Sequence, residues 1–194
     1  MLCRSDDLAR DFFARRGGDS LGVGFFSGLC TRFSRIDNGA MTWVDVEHGD
    51  VAHLLADAQP MNERHRVSSC CSIACTGWMR HLEGAPQPTL LVVQGGLVGS
   101  ERNFLESFLT AASKSLPAGS EILADFDARA PLRPRGKSLE ALNAEEAWVR
   151  YPRLRFVPTD EYSIHLERRI AGMNGIARLF KGRGMPALAH LRVA

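Results

Sequence analysis

The feature that most constrains this chain is a recurring pair, a short apolar run bounded by turn residues and then a segment whose apolar residues return at helical spacing. Residues 21–26 (LGVGFF) lead through Ser27-Gly28 into a helix start across 29–36, residues 41–46 (MTWVDV) into 51–56, and residues 89–93 (TLLVV) into Phe104-Leu105, Phe108-Leu109 and Ala112. Further strand candidates lie at 66–71, 122–126, 153–157 and 188–193, with a helix at 139–149. Strands alternating with helices in this way predict an α/β fold, a doubly wound, mostly parallel sheet of about seven strands with helices on both faces and right-handed crossovers. Leu8, Phe12 and Phe13 behind Ser5-Asp6-Asp7 predict a short N-terminal helix over 6–16, the Ser-Asp-Asp cluster serving as its cap. The loop at 130–136 (APLRPRG) interrupts the alternation without dividing it, so 1–194 reads as a single domain.

Composition narrows the function. With 24 Lys+Arg against 22 Asp+Glu the formal charge is +2, which is no footprint for a phosphate backbone or an anionic membrane, so neither nucleic acid nor membrane is expected as a partner. No apolar run approaches the roughly 18 to 20 residues of a spanning helix. Asp6, Asp7 and Asp11 break up any apolar region of a secretory signal, which reads as a cytoplasmic protein. Five cysteines are an odd number, best read as free thiols. Cys70-Cys71-x3-Cys75 lacks the second ligand pair that structural zinc requires, so no metal site is expected.

In an open doubly wound sheet a ligand binds beyond the carboxyl ends of the strands, where the strand order reverses. The first strand ends here in Phe26-Ser27-Gly28, whose single glycine is no dinucleotide fingerprint. Asp45 and Glu47 close the second strand about 20 residues later, the separation at which an acid can accept hydrogen bonds from ribose hydroxyls. The same two residues equally suit a strand end that caps the next helix.

Four segments in register carry a resemblance. Residues 26–35 (FSGLCTRFSR) resemble the G-x-G-x-D-T-R segment of the leucine carboxyl methyltransferase family, above all its bacterial branch of small-molecule and polyketide O-methyltransferases. Residues 43–47 (WVDVE) resemble the family's acidic second strand, 88–97 (PTLLVVQGGL) its P-T-L-x-V-x-E-G fourth strand, and 151–156 (YPRLRF) its P-R-L-R piece. The resemblance implies a Rossmann-like class I methyltransferase fold, S-adenosylmethionine as cofactor and a small-molecule methyl acceptor, with residues 127–150 on the acceptor side. It places Ser27 and Gly28 against the methionine part of the cofactor, Glu47 on the ribose hydroxyls with Asp45 beside it, and Gln94 near the methionine moiety and the reacting methyl.

The departures are physical. Phe26 replaces the first glycine, Cys30 the aspartate and Gln94 the glutamate, and no acid near Ile73 and Ala74 matches the one the family places by the adenine. A phenylalanine at the turn adds bulk and blocks easy access to positive φ. A neutral glutamine exchanges a charge-assisted hydrogen bond of about 1.5–3 kcal/mol for one of about 1 kcal/mol. The family's N-terminal helical cover, which supplies a basic residue for the cofactor's carboxylate, is expected to be largely missing, and a homodimer is one way of covering that end. A carboxylate acceptor needs no base; for a hydroxyl, His165 is the candidate base, with a surface histidine as the plainer reading. Trp43, Trp78 and Trp148 read as core or half-buried residues before pocket walls. The expected activity is O-methylation of a small carboxylate or hydroxyl compound. The alternative is a methyltransferase-like protein without methyl transfer, serving as a binding subunit or running another reaction on the same fold.

Overall fold

The computed structural model describes residues 2–17, 20–70, 79, 87–94, 102–127, 151–157 and 186–194. Its elements run α1 (Leu2–Arg16), β1 (Leu21–Phe25), α2 (Arg32–Ile36), β2 (Thr42–His48), α3 (Gly49–Ala58), β3 (His65–Cys70), β4 (Thr89–Val93), α4 (Arg102–Ser115), β5 (Glu121–Asp127), β6 (Leu154–Phe156) and β7 (Pro186–Val193). The strands form one seven-stranded sheet in the order β3-β2-β1-β4-β5-β7-β6. The first five pair in parallel, and β7 lies antiparallel between β5 and β6. After β3 the chain crosses to the other side of β1, which puts the switch point between β1 and β4, where Phe25 is level with Val93.

The alternation of side chains along a strand divides the core in two. Val23, Phe25, Val44, Val46, Leu91 and Val93 face α4, packing with Phe108, Leu109 and Ala112. Trp43, Leu90 and Val92 face the other way, toward Phe12 and Phe13 of α1 and Phe33 and Ile36 of α2. Burial on both faces is why 89–93 reads as an unbroken apolar run, and the strand lies where that run predicts it. Trp43 is the largest fully buried side chain among the described residues, and its indole lies across β1. A Cβ on Gly22 would fall inside the indole ring's contact distance, and one on Gly24 would strike the Asp45 carboxylate.

Several boundaries differ from the sequence expectation. Helix α1 begins at Leu2 instead of residue 6, and Ser5 and Asp6 are not its cap but buried members of its opening turns, held by arginines described below. Helix α2 is limited to Arg32–Ile36, because residues 26–31 are drawn into a loop over the strand ends. Strand β2 continues to His48, which brings Glu47 inside it. The helix expected at 139–149, the loop at 130–136, His165, Trp78, Trp148, Cys71, Cys75, Ile73 and Ala74 lie outside the described residues. Among the described residues, no helix is long and apolar enough to cross a membrane.

Candidate functional site at the carboxyl ends of the central strands

Beyond β1 the chain turns sharply at Phe26, whose φ of 51° is the only positive value of a non-glycine residue among those described. Phenylalanine adopts this conformation although its bulk denies it easy access. Its N–H donates to Val46 O at 2.9 Å, its ring meets Phe25 edge-on at 4.6 Å, and these contacts hold a backbone state that costs a bulky residue about 1–3 kcal/mol. Gly28 follows at φ 64° with open space where a Cβ would stand, so glycine serves the backbone angle there and not a close approach.

Glu47 and this loop are joined. The Gly28 N–H donates to Glu47 Oε1 at 2.8 Å, and the Ser27 N–H also hydrogen-bonds the carboxylate. Glu47 is only 2% exposed. Burial pushes its carboxyl up to about 7, the charge of Asp45 adds to the rise, and the two backbone N–H groups oppose it. Ser27, Gly28 and Glu47 therefore meet at the end of β1 and β2. Asp45 sits two residues deeper, where Oδ1 accepts from Trp43 Nε1 at 2.8 Å and Oδ2 lies 2.9 Å from His65 Nε2. Both its oxygens are engaged within the sheet, and the His65 ring is stacked on Phe33 at 4.4 Å.

Gln94, the residue after β4, is joined to a group that sequence reasoning did not select. Its Oε1 accepts a hydrogen bond from Arg32 Nη2. Arg32 is 1% exposed, and it also donates from Nε to Asp6 Oδ1 at 3.0 Å and from Nη2 to Ser5 Oγ at 3.1 Å. Arg35 binds the same Asp6 carboxylate at 2.6 Å. Burial opposes the charge on Asp6, but the two guanidinium groups outweigh it and hold the carboxyl below its ordinary range. The opening turns of α1 are thus linked through Arg32 to Gln94 at the end of β4. The signal for Arg32 was in the T-R pair of the 26–35 segment; its partners are 26 and 62 residues away in sequence, so spacing could not reveal its role. Cys30 is bound by Arg35 Nη2 through Sγ at 3.7 Å, and its carbonyl accepts from Gln59 Nε2 at 3.1 Å, which ties the loop to the end of α3.

Chemically, the region offers an acceptor carboxylate at the end of β2 and a guanidinium facing the end of β4. Among the described residues, Ser27 Oγ, Arg32 Nη1 and Arg4 Nε are buried without a hydrogen-bond partner. Buried donors are rarely left so unless a ligand or water completes them.

Neither a protein-family model nor a curated protein matches this sequence. Solved structures do match it in fold. An S-adenosylmethionine-dependent methyltransferase from Mesorhizobium loti superposes with a TM-score of 0.63 at 13% identity, covering 96% of each chain. Geranyl diphosphate C-methyltransferase from Streptomyces coelicolor A3(2), solved with Mg2+, geranyl diphosphate and S-adenosyl-L-homocysteine, gives 0.60 at 13% identity over 99% of this chain and 77% of its own. The [4+2]-cyclase SpnF gives 0.59 at 13% identity over 98% of this chain and 80% of its own. The chain has the Rossmann-like class I methyltransferase fold, with the seven-stranded sheet that the alternating pattern predicts.

Proposed function

We propose that this chain is an S-adenosylmethionine-dependent methyltransferase acting on a small molecule, and more narrowly an O-methyltransferase of the kind the leucine carboxyl methyltransferase resemblance implies, with a carboxylate or hydroxyl acceptor. The observation that carries the reading is the meeting of Glu47 with the Ser27-Gly28 loop beside the β1/β4 switch point, the position at which this fold type receives a nucleoside. The residues present fit such a group. Glu47 supplies an acceptor for a pair of hydroxyls, and the unpartnered donors of Ser27 and Arg32 suit a polar, anionic end. Asp45 is assigned to support Trp43 and His65 and not to the ligand, since both of its oxygens are engaged. Gln94 is assigned to hold Arg32 in place at the end of β4.

When bound, the cofactor supplies an electrophilic methyl group on a sulfonium. The protein's share is placement and exclusion of water, which require no metal. The Ser27 and Gly28 N–H groups orient the Glu47 carboxylate, whose two oxygens have further lone pairs with which to accept from hydroxyls. Titration with S-adenosylhomocysteine tests this. Micromolar binding that falls at least tenfold in Glu47→Ala, with the fold retained by circular dichroism, is the expected result. Absence of binding to the folded wild type at millimolar ligand overturns it.

A second reading is favoured by Phe26 and Gln94, which occupy positions where the resembled family has glycine and glutamate. It is a protein of this fold that does not transfer methyl, the fold itself being compatible with other chemistry, as the cyclase among the matched structures illustrates.

A further inference from the structure

We infer that Arg32 forms the floor of a binding site for a single carboxylate. Two guanidinium groups, Arg32 and Arg35, share one carboxylate, Asp6, so the pairing leaves one positive charge in excess. The remaining partners of Arg32 are neutral, the Ser5 hydroxyl and the Gln94 amide. Arg32 is 1% exposed, and a buried charge without a counter-charge is costly. Its Nη1 is buried and has no acceptor among the described residues, while Nε and Nη2 are fully engaged. Ser27 Oγ, on the loop leading into α2, is a second buried donor without a partner.

These features select the ligand class. One excess charge, one unspent guanidinium nitrogen and one hydroxyl suit a monoanionic carboxylate, whereas a phosphate dianion would leave both charge and acceptor atoms unmatched. Glutamine at position 94 belongs to the same arrangement. A glutamate there would neutralise Arg32 from within the protein, and the neutral amide orients the guanidinium while leaving its charge for a ligand. The loop bound to Glu47 runs from Ser27 directly to Arg32, so one short segment carries both unpartnered donors. The carboxylate has two sources, the amino-acid end of the proposed cofactor or the acid group of a methyl acceptor. The first rests on the functional reading above; the second does not.

Calorimetry with S-adenosylhomocysteine and with 5′-methylthioadenosine, which lacks the amino-acid end, separates them in the full chain, in Arg32→Lys and in Ser27→Ala. Arg32→Lys keeps the charge beside Asp6 and removes the fork. Ser27→Ala removes a hydroxyl that has no hydrogen-bond partner among the described residues, and so keeps the question open to test if the lysine variant does not fold. If the cofactor's carboxylate is bound, the wild type prefers S-adenosylhomocysteine by about tenfold or more, and both variants shrink that ratio while leaving methylthioadenosine affinity unchanged. If an acceptor's carboxylate is bound, the ratio is unchanged in the variants. Benzoate and acetate then raise the Tm of the wild type above that in chloride of equal ionic strength, and the variants lose that rise. A ratio and a carboxylate Tm shift that are both the same in wild type and variants overturn the inference. If neither adenosine compound binds the wild type, the functional reading fails, and the benzoate and acetate shifts alone decide the carboxylate site.

Discussion

Glu47 carries a carboxyl with a pKa of about 7 in the folded chain against an ordinary 4.5, burial being the main cause. A group raised in the folded state stabilises the fold fully below the lower value, and that contribution is lost as pH rises from 4.5 toward 7. Glu47→Gln removes the titration and keeps an oxygen that can accept from Gly28. Its Tm relative to wild type is expected to climb between pH 4.5 and 7.5, and a difference that stays flat across that window would refute the buried, protonatable state. Asp6 has the opposite sign. Its depressed carboxyl stabilises the fold above its ordinary 3.8 and ceases to do so as pH falls below it. At this scale the sequence disclosed positions better than partners. Asp45 and Glu47 are alternate residues of one strand, yet one is locked under β1 and the other holds a loop, a distinction decided by Trp43, His65 and Gly28 and by no local pattern.

At the scale of elements, legibility follows burial. Strand β4 was readable because all five of its residues are buried, while α1 was read short because Ser5-Asp6-Asp7 has the look of a cap until Arg32 and Arg35 arrive from elsewhere in the chain. Helix α2 was overestimated because Gly28 N–H and the Cys30 carbonyl are claimed by Glu47 and Gln59, which draws the segment before Arg32 into a loop. The pairing of β1 with β2 rests on glycines whose role no local pattern discloses. Gly22 lies level with Trp43, and a methyl group there would intrude on the indole. Gly22→Ala is therefore expected to cost about 1–3 kcal/mol by overpacking, toward the upper end because the obstacle is a fully buried ring. Urea denaturation measures it. Trp43→Phe in the same background should recover part of the loss, since it removes the atoms that collide.

The whole molecule has a polar knot at each end of its sheet, and the two differ in purpose. At the amino end, Glu121 of β5 is 1% exposed and is bound by Arg15 of α1 at 2.9 Å and by His190 and Arg192 of β7 at 2.8 and 3.0 Å. Burial opposes its charge, but hydrogen bonding from His190 and the charges of Arg15 and Arg192 prevail and depress the carboxyl. Among the described residues, no buried side-chain polar atom of this knot lacks a hydrogen-bond partner, whereas the knot at the carboxyl end keeps donors in reserve on Arg32 and Ser27. Glu121→Ala is expected to destabilise the fold by about 3 kcal/mol in urea denaturation, two of its partners being half-exposed, and to leave S-adenosylhomocysteine affinity unchanged. A loss of affinity matching that of Glu47→Ala would contradict the division between the ends.

The position of β7 sets the order in which the molecule can be assembled during synthesis. It is the last strand in the chain but lies inside the sheet, and among the described residues it is the only strand paired with β6. A nascent chain can zip β1 to β5 together as they emerge, yet among the described strands β5 and β6 gain the partner that joins them only when residues 186–193 leave the ribosome. Translation that stalls between β6 and β7 would therefore release a parallel half-sheet with an adhesive border, the form most prone to join its neighbours on the same messenger.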